Sequence, residues 1–153
     1  MSSAESTARR PTLGAMVRRV HAAMVQEYAR WLAASPYRDV QPAHAAVIQP
    51  LWQQPQGARL TELARAARVT KQSMAALVDS LERGGYVARV ADPDDGRAAR
   101  IRLTARGRRY ARDVRRFGRE LEARLAGALG DRKVQELRAT LEELLESLRP
   151  AQS

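Results

Sequence analysis

The sequence contains no cysteine, only two histidines and only two lysines among its 153 residues. The absence of cysteine excludes disulfides, thiolate redox sensing and zinc sites built on sulfur. His21 and His44 lie far apart in sequence, so we expect neither a metal site with several histidines nor a cofactor. Without cysteine, neighbouring histidines or a glycine-rich phosphate loop, the chain offers little from which to build an active site, and no enzymatic activity is expected.

Long apolar runs are also missing. No stretch of about 18 apolar residues is present to span a bilayer, and the first 15 residues lack the apolar core of a signal peptide. We therefore expect a cytoplasmic protein with no membrane partner. Residues 1–11 are polar and end in proline, which predicts a disordered N-terminal arm.

Positive charge, by contrast, is abundant, and it is concentrated in the middle of the chain. Residues 57–119 carry 16 basic and 7 acidic residues, a net charge of +9, while the whole chain carries +10. Arginine enriched by GC-rich codon usage would be spread over the whole chain. The concentrated excess therefore favours a polyanionic partner.

Apolar residues at spacings of three and four predict helices before the basic segment. The first helix is expected over residues 12–34, and Ser35-Pro36 ends it because a residue before proline disfavours the helical conformation. A second helix is expected from about Gln41, with Pro42 in its permitted first turn. Pro50 lies inside this pattern and predicts either a kink or an early end.

The basic segment begins with two short helices. The first is expected at residues 60–68 with Thr61 as its N-cap, followed by a tight turn at Val69-Thr70. The second is expected at residues 71–83, with Thr70 as its N-cap and Gly84-Gly85 at its end. Its apolar positions form one stripe, which leaves polar residues on the opposite side.

The period then changes from 3.6 to 2. Strands are predicted at residues 86–90 and 99–103, and residues 92–97 between them are rich in turn formers. Ile101 and Leu103 share one face of the second strand, and the arginines lie on the outward face. A short helix, a tight turn, a capped helix and a hairpin with a basic tip form the winged helix-turn-helix arrangement.

A long helix capped by Thr104 is predicted to run to about Leu129, with Gly130 separating it from a last helix. At roughly 1.5 Å per residue this helix would be about 39 Å long. The compact core of one protomer cannot cover that length, so we expect a seam between two subunits. The predicted interface residues are Leu13, Val17, Phe117, Leu121, Leu137, Leu141, Leu144 and Leu148.

Leu60 to Gly107 resembles the MarR family of bacterial transcriptional regulators. The most specific part is D-P-x-D-x-R followed by L-T-x-x-G, at Asp92 to Gly107, and the flanking helices also occur in the family's order. The resemblance implies a mainly α fold with a small β-hairpin wing. It further implies a dimeric repressor that binds a pseudo-palindromic operator in double-stranded DNA and is released by a small aromatic or phenolic effector.

The predicted organisation has three parts after the N-terminal arm. Residues 12–40 form a dimerisation helix, residues 41–103 a winged helix-turn-helix domain, and residues 104–149 C-terminal dimerisation helices. The resemblance implies that residues 70–83 form the recognition helix. In a dimer, two recognition helices about 34 Å apart would contact half-sites one turn of DNA apart.

The first turn of the helix at residues 71–83 carries the expected base contacts. Gln72 can form two hydrogen bonds with adenine, Lys71 can reach guanine or phosphate, and small side chains allow the backbone to approach the bases. By the resemblance, Arg97 is the wing arginine and Asp95 is the acidic residue that orients it. The predicted DNA-binding residues are Thr70, Lys71, Gln72, Ser73, Ala76, Asp95, Arg97 and Arg100.

Two alternatives accompany these predictions. A non-specific nucleic-acid binder would have a basic recognition helix, whereas Lys71 and Arg83 are balanced here by Asp79 and Glu82. Candidates for an effector cleft between the dimerisation helices and the DNA-binding lobe could equally be core or interface residues. These candidates are Tyr37, His44 and Trp52.

Overall fold

The computed structural model describes residues 10–149, and the predicted disordered arm lies outside the described residues except for its last two positions. The fold is mainly α with a small antiparallel sheet, as predicted. A 3₁₀ turn at Pro42–His44 precedes α2. The elements are α1 (Leu13–Ala34), α2 (Ala45–Trp52), β1 (Ala58–Arg59), α3 (Leu60–Ala67), α4 (Lys71–Arg83), β2 (Val87–Asp92), β3 (Asp95–Leu103), α5 (Ala105–Leu129) and α6 (Asp131–Ser147).

The chain divides into two compact units, one up to Ala111 and one from Arg112. The boundary falls inside α5, so this helix contributes its first turns to the first unit and the rest to the second. Within residues 10–149, no helix has both the length and the apolarity needed to cross a membrane.

Helices α1, α4 and α5 follow Thr12, Thr70 and Thr104, whose side chains accept hydrogen bonds from free backbone amides of the first turn. Thr12 Oγ1 accepts from the Ala15 N–H at 3.2 Å, and Thr104 Oγ1 accepts from the Gly107 N–H at 3.0 Å. The prediction that Thr61 caps α3 is wrong, because α3 already begins at Leu60. The Arg59 backbone is extended in β1, and its N–H donates to the Glu62 carboxylate at 2.7 Å. Arg59 is therefore the N-cap of α3.

The predicted hairpin is present, but its strands are longer and its turn is shorter than expected. β2 and β3 pair as far as Asp92 and Asp95, so that only Pro93 and Asp94 form the turn. The Asp92 side chain accepts a hydrogen bond from the Asp94 N–H at 3.0 Å, which stabilises a tight reversal. β1 pairs with β3 as a third strand, and its two residues are too few to show a periodicity in sequence.

The core of the first unit lies on the apolar stripe of α4. Met74, Val78 and Leu81 of this helix are buried, and the helix packs against α2, α3 and β2. α2 continues past Pro50 and ends at Trp52, where its apolar pattern also ends, so the proline does not shorten the helix. Because one face of α4 is buried, the opposite face of the helix is the one that is presented to solvent.

The second unit contains the rest of α5 and all of α6. No residue of α6 is buried. An ion pair between Arg138 of α6 and Glu122 of α5 links the two helices. The leucines predicted along α6 therefore form an apolar stripe that the described chain does not cover, and Leu141, near its middle, is 41% exposed.

Candidate nucleic-acid interface

The N-terminus of α4 is a complete and exposed helix start. Thr70 Oγ1 accepts from the Ser73 N–H at 3.1 Å, which confirms Thr70 as the N-cap, and the hydroxyls of the two residues lie 2.8 Å apart. Lys71, Gln72 and Ser73 are exposed, and so is Ala76 one turn later. In the part of the chain that the structure describes, the Lys71 and Gln72 side chains have no hydrogen-bond or ion-pair partner, so both are available to a ligand.

The turn between α3 and α4 uses a backbone conformation that the sequence does not reveal. Arg68 adopts φ 53°, in the left-handed region, where glycine or asparagine would be more usual. The Val69 N–H donates to the Ala64 carbonyl at 3.1 Å and closes the end of α3. This reversal brings the buried face of α4 against α3 and leaves the first turn of α4 outside.

The end of α4 leads directly into the wing. Gly85 has φ 72°, and the Tyr86 N–H donates back to the Leu81 carbonyl at 2.9 Å. The predicted Gly84-Gly85 end of the helix is therefore confirmed. Because β2 begins two residues after Gly85, the wing is held close to α4.

Arg97 lies on β3, three residues beyond the two-residue turn, and is exposed. Among residues 10–149 no side chain forms a hydrogen bond or an ion pair with its guanidinium. Asp95 Oδ1 accepts a hydrogen bond from the Arg97 backbone N–H at 3.1 Å. The carboxylate that was expected to orient the arginine thus fixes its main chain, and the guanidinium is available for another partner.

Arg100, in contrast, is already engaged. Its Nε lies 3.1 Å from Asp92 Oδ2, and its Nη2 lies 3.4 Å from Asp94 Oδ2. Arg59 Nε donates to the same Asp92 oxygen at 2.6 Å. Asp92 is 2% exposed, and its pKa is lowered to about 2, first by the hydrogen bond from Arg59 and next by that from the Asp94 N–H. The sequence presented Asp92 only as a turn former, and no periodicity indicated that it would be buried.

This carboxylate makes stability depend on pH in the acid range. The pKa of Asp92 is about 2 in the folded protein against an ordinary value of 3.8, so the unfolded chain takes up the proton first as the pH falls. The stabilisation is complete above about pH 4 and is lost between about pH 4 and pH 2. We expect Asp92→Asn to lower the urea midpoint at pH 7 and to flatten its pH dependence in that window. Asp94→Asn, whose carboxylate is 75% exposed, is the control and should keep the wild-type profile.

Three tyrosine rings form a cluster that sequence analysis did not identify. The centroids of Tyr37 and Tyr110 lie 4.9 Å apart, those of Tyr86 and Tyr110 lie 5.5 Å apart, and both pairs meet edge to face. Tyr28 and Tyr110 are hydrogen-bonded through their hydroxyls, and burial raises the pKa of both. Tyr37, a predicted effector contact, is therefore part of the core of the first unit.

His44, the second predicted effector residue, is also buried. Its Nδ1 accepts a hydrogen bond from the Gln41 N–H at 2.9 Å, which fixes the neutral ring with the proton on Nε2, and burial lowers the pKa of the imidazole. Trp52, the third, is half-buried at the end of α2. No group of three or more metal-ligating side chains occurs within residues 10–149.

The predicted interface residues fall into two sets by exposure. Those on α1 are exposed, those on α5 are half-buried, and those on α6 and at its C-cap are exposed except for one. The exposed residues are Leu13, Val17, Leu137, Leu141 and Leu148, and the half-buried ones are Phe117, Leu121 and Leu144. Large apolar side chains along α1 and α6 are thus left without cover in the described chain.

Comparison with known families and curated proteins finds sequence similarity to transcriptional regulators. A family model described as MarR family matches residues 38–98. The HTH-type transcriptional repressor Rv2887 of Mycobacterium tuberculosis is 39% identical over 88 residues, which cover 58% of this chain. The match covers 63% of the length of that relative.

Solved structures match over more of the chain. The Mycobacterium tuberculosis MarR family protein Rv2887 in complex with salicylic acid is 33% identical, with a TM-score of 0.69, and the match covers 90% of this chain and 98% of that one. Streptococcus pneumoniae FabT in complex with DNA has a TM-score of 0.75 at 20% identity, covering 88% of this chain and 95% of that one. At that lower identity FabT shows the shared fold alone.

Proposed function

This chain belongs to the MarR family, and we propose that it binds specific sequences in double-stranded DNA and represses transcription as a homodimer. The observation that carries the proposal is the exposed first turn of α4, where Lys71 and Gln72 have no partner among the described residues. The opposite face of the helix is buried, so this turn is held in a fixed orientation. The exposed Arg97 of the wing supplies a second, cationic contact.

The charge distribution favours base recognition over non-specific binding. Within α4, Lys71 and Arg83 are balanced by Asp79 and Glu82, so the helix itself is neutral while its surroundings are basic. A neutral helix gains little from phosphates and gains more from hydrogen bonds to base edges in the major groove. Arg97 suits the narrow minor groove of A·T tracts, where the negative potential is concentrated.

A small phenolic effector is the natural ligand to propose for the release of DNA. Rv2887, 33% identical, has been solved with salicylic acid. In this chain the first unit holds the tyrosine cluster and the half-buried Trp52 as candidate contacts. Addition of salicylate should quench tryptophan fluorescence in the wild type, less so in Trp52→Phe, and should weaken binding to DNA.

The MarR family is one of transcriptional regulators, so we propose that this chain acts by binding rather than by catalysis, in the cytoplasm.

Competition binding tests the proposed function. A duplex enriched from a random library by the wild-type protein serves as the specific probe, and a duplex of the same composition in scrambled order serves as the competitor. We expect the specific duplex to bind at least about 1,000-fold more tightly. Equal affinity for the two duplexes would reject sequence-specific recognition.

Removal of the wing arginine is expected to weaken this binding. Arg97→Ala should lower the affinity roughly 10- to 100-fold, because its exposed guanidinium is the proposed groove contact. The slope of log affinity against log salt should also become shallower by about 2, since the dimer loses one arginine from each subunit. Arg132→Ala removes the same charge from α6 and should leave both quantities unchanged. Unaltered affinity of Arg97→Ala in a titration would refute the proposed role of the wing.

Removal of the Gln72 amide is expected to change specificity rather than salt dependence. Gln72→Ala should relax the preference at one or two base pairs, with a loss of about 1–3 kcal/mol at those pairs. Its salt slope should equal that of the wild type, because a neutral amide releases no counterion. The measurement is a binding profile over all single-base variants of the specific duplex, and a profile identical to the wild type would exclude base contact by Gln72.

A further inference from the structure

We propose that Arg89 is a positioning residue that holds the wing at a fixed angle to the recognition helix, and that it does not contact DNA phosphate. The proposal rests on the function proposed above. It assigns to an arginine of the basic segment a role that its charge alone does not suggest. Its basis is a set of contacts between β2 and the second half of α4.

Arg89 joins the two elements through both main chain and side chain. Its Nη2 donates to Asp79 Oδ1 at 2.6 Å, and its Nη1 forms an ion pair with the Glu82 carboxylate. Its backbone N–H also donates to Glu82 Oε1 at 3.2 Å. Asp79 and Glu82 lie three positions apart on α4, so one guanidinium bridges two carboxylates nearly one helical turn apart.

The register of the sheet explains why Arg89 faces the helix. Arg89 lies opposite Ile101, and Val87 lies opposite Leu103, so these four side chains share one face of the β2–β3 pair. Val87 and Ile101 are buried on that face, and β2 packs against α4. Arg89 occupies the same face where the apolar packing ends, so its guanidinium is directed towards α4. The arginines on the other face, such as Arg100, do not share this direction.

These contacts matter for orientation more than for stability. The side chain of Arg89 is 37% exposed, and exposed ion pairs contribute little to the free energy of unfolding. In the chain, the hairpin is joined to α4 by a short segment at Gly84-Gly85, where Gly85 has a positive φ. A bridge across that connection restricts the angle at which Arg97 is presented. Loss of the bridge should therefore reduce what Arg97 contributes to binding.

The test is a double-mutant cycle between Arg89 and Arg97, measured with the specific duplex from the random library. We expect Arg89→Gln to weaken binding about 3- to 30-fold and to leave the salt slope unchanged. In the Arg89→Gln background, Arg97→Ala should cost at least threefold less than it costs in the wild type. Arg89→Lys keeps the charge but cannot bridge two carboxylates in the same way, and should behave like Arg89→Gln.

Other outcomes overturn the proposal. A salt slope reduced by about 2 in the Arg89→Gln dimer, about 1 for each subunit, with recovery in Arg89→Lys, would show a phosphate contact. Unchanged affinity, or additive losses in the cycle, would show that Arg89 has no influence on the wing. The urea midpoint of each variant confirms that the protein is folded. Failure of the proposed function would be visible separately, as the absence of any preference of the wild type for the specific duplex.

Discussion

Replacing Gly107 by alanine is expected to destabilise the protein by about 3 kcal/mol, at the upper end for an overfilled site. A Cβ at this position would lie 2.0 Å from the backbone oxygen of Tyr86. That carbonyl cannot move freely, because it also accepts from the Thr104 N–H at 3.0 Å and so fixes the start of α5. Thermal unfolding should show a fall in Tm of roughly 10 °C for a domain of this size.

A second glycine of the same helix provides the control. Within residues 10–149, no atom outside the adjoining residues and the backbone of its own helix lies within 4 Å of the position that a Cβ at Gly127 would occupy. Gly127→Ala should therefore leave stability unchanged or raise it by up to about 1 kcal/mol, since alanine favours the helical conformation. Equal stability of the two alanine variants would show that the contact between Gly107 and Tyr86 is not close in solution.

This contact gives a physical reason for the spacing in L-T-x-x-G. Thr104 must cap α5, and the residue three positions later must lack a side chain because α5 crosses the backbone just before β2. Sequence analysis recognised the pattern and the cap, but the close approach involves Tyr86, which lies 21 positions away. A local spacing cannot reveal a neighbour of that kind.

The helices and their caps could be predicted because they depend on local rules. Apolar spacing, threonine caps at residues 70 and 104, and Gly84-Gly85 set the bounds of α4 and the start of α5. The start of α3 at Leu60 is confirmed, but its N-cap is Arg59 rather than Thr61, because β1 and Glu62 together determine it. β1 pairs with β3 over a long distance in sequence, and a strand of two residues is too short to be predicted from a local pattern.

The candidate site shows the same limit in its charges. The excess of arginine in residues 57–119 predicted a polyanionic partner, but it did not separate available arginines from engaged ones. Arg59 and Arg100 converge on the buried Asp92, and Arg89 bridges two carboxylates of α4. Arg97 lacks such a partner among the described residues. Ion pairs formed in the folded structure, which composition does not reveal, therefore decide which arginine side chains remain available to DNA.

Leu141→Arg is expected to convert the proposed dimer to a monomer. Leu141 lies on the uncovered apolar stripe of α6, and burial of an unpaired guanidinium in a subunit interface would be strongly unfavourable. Sedimentation equilibrium should give the mass of one chain. Glu143→Arg is the control on the same helix, since Glu143 is exposed about half a turn away from Leu141, and it should remain dimeric.

Loss of the dimer should reduce DNA binding far more than any single contact does. In the proposed dimer, two linked recognition helices would bind the two half-sites of one operator, so the second half-site would be bound at a high effective concentration. A monomer loses that advantage, and the affinity should fall about 10²- to 10⁴-fold. The more positive Glu143→Arg variant should bind at least as well as the wild type, which separates assembly from charge. A persistent dimer in Leu141→Arg would place the interface elsewhere on the chain, and a monomer with wild-type affinity would refute recognition of two half-sites.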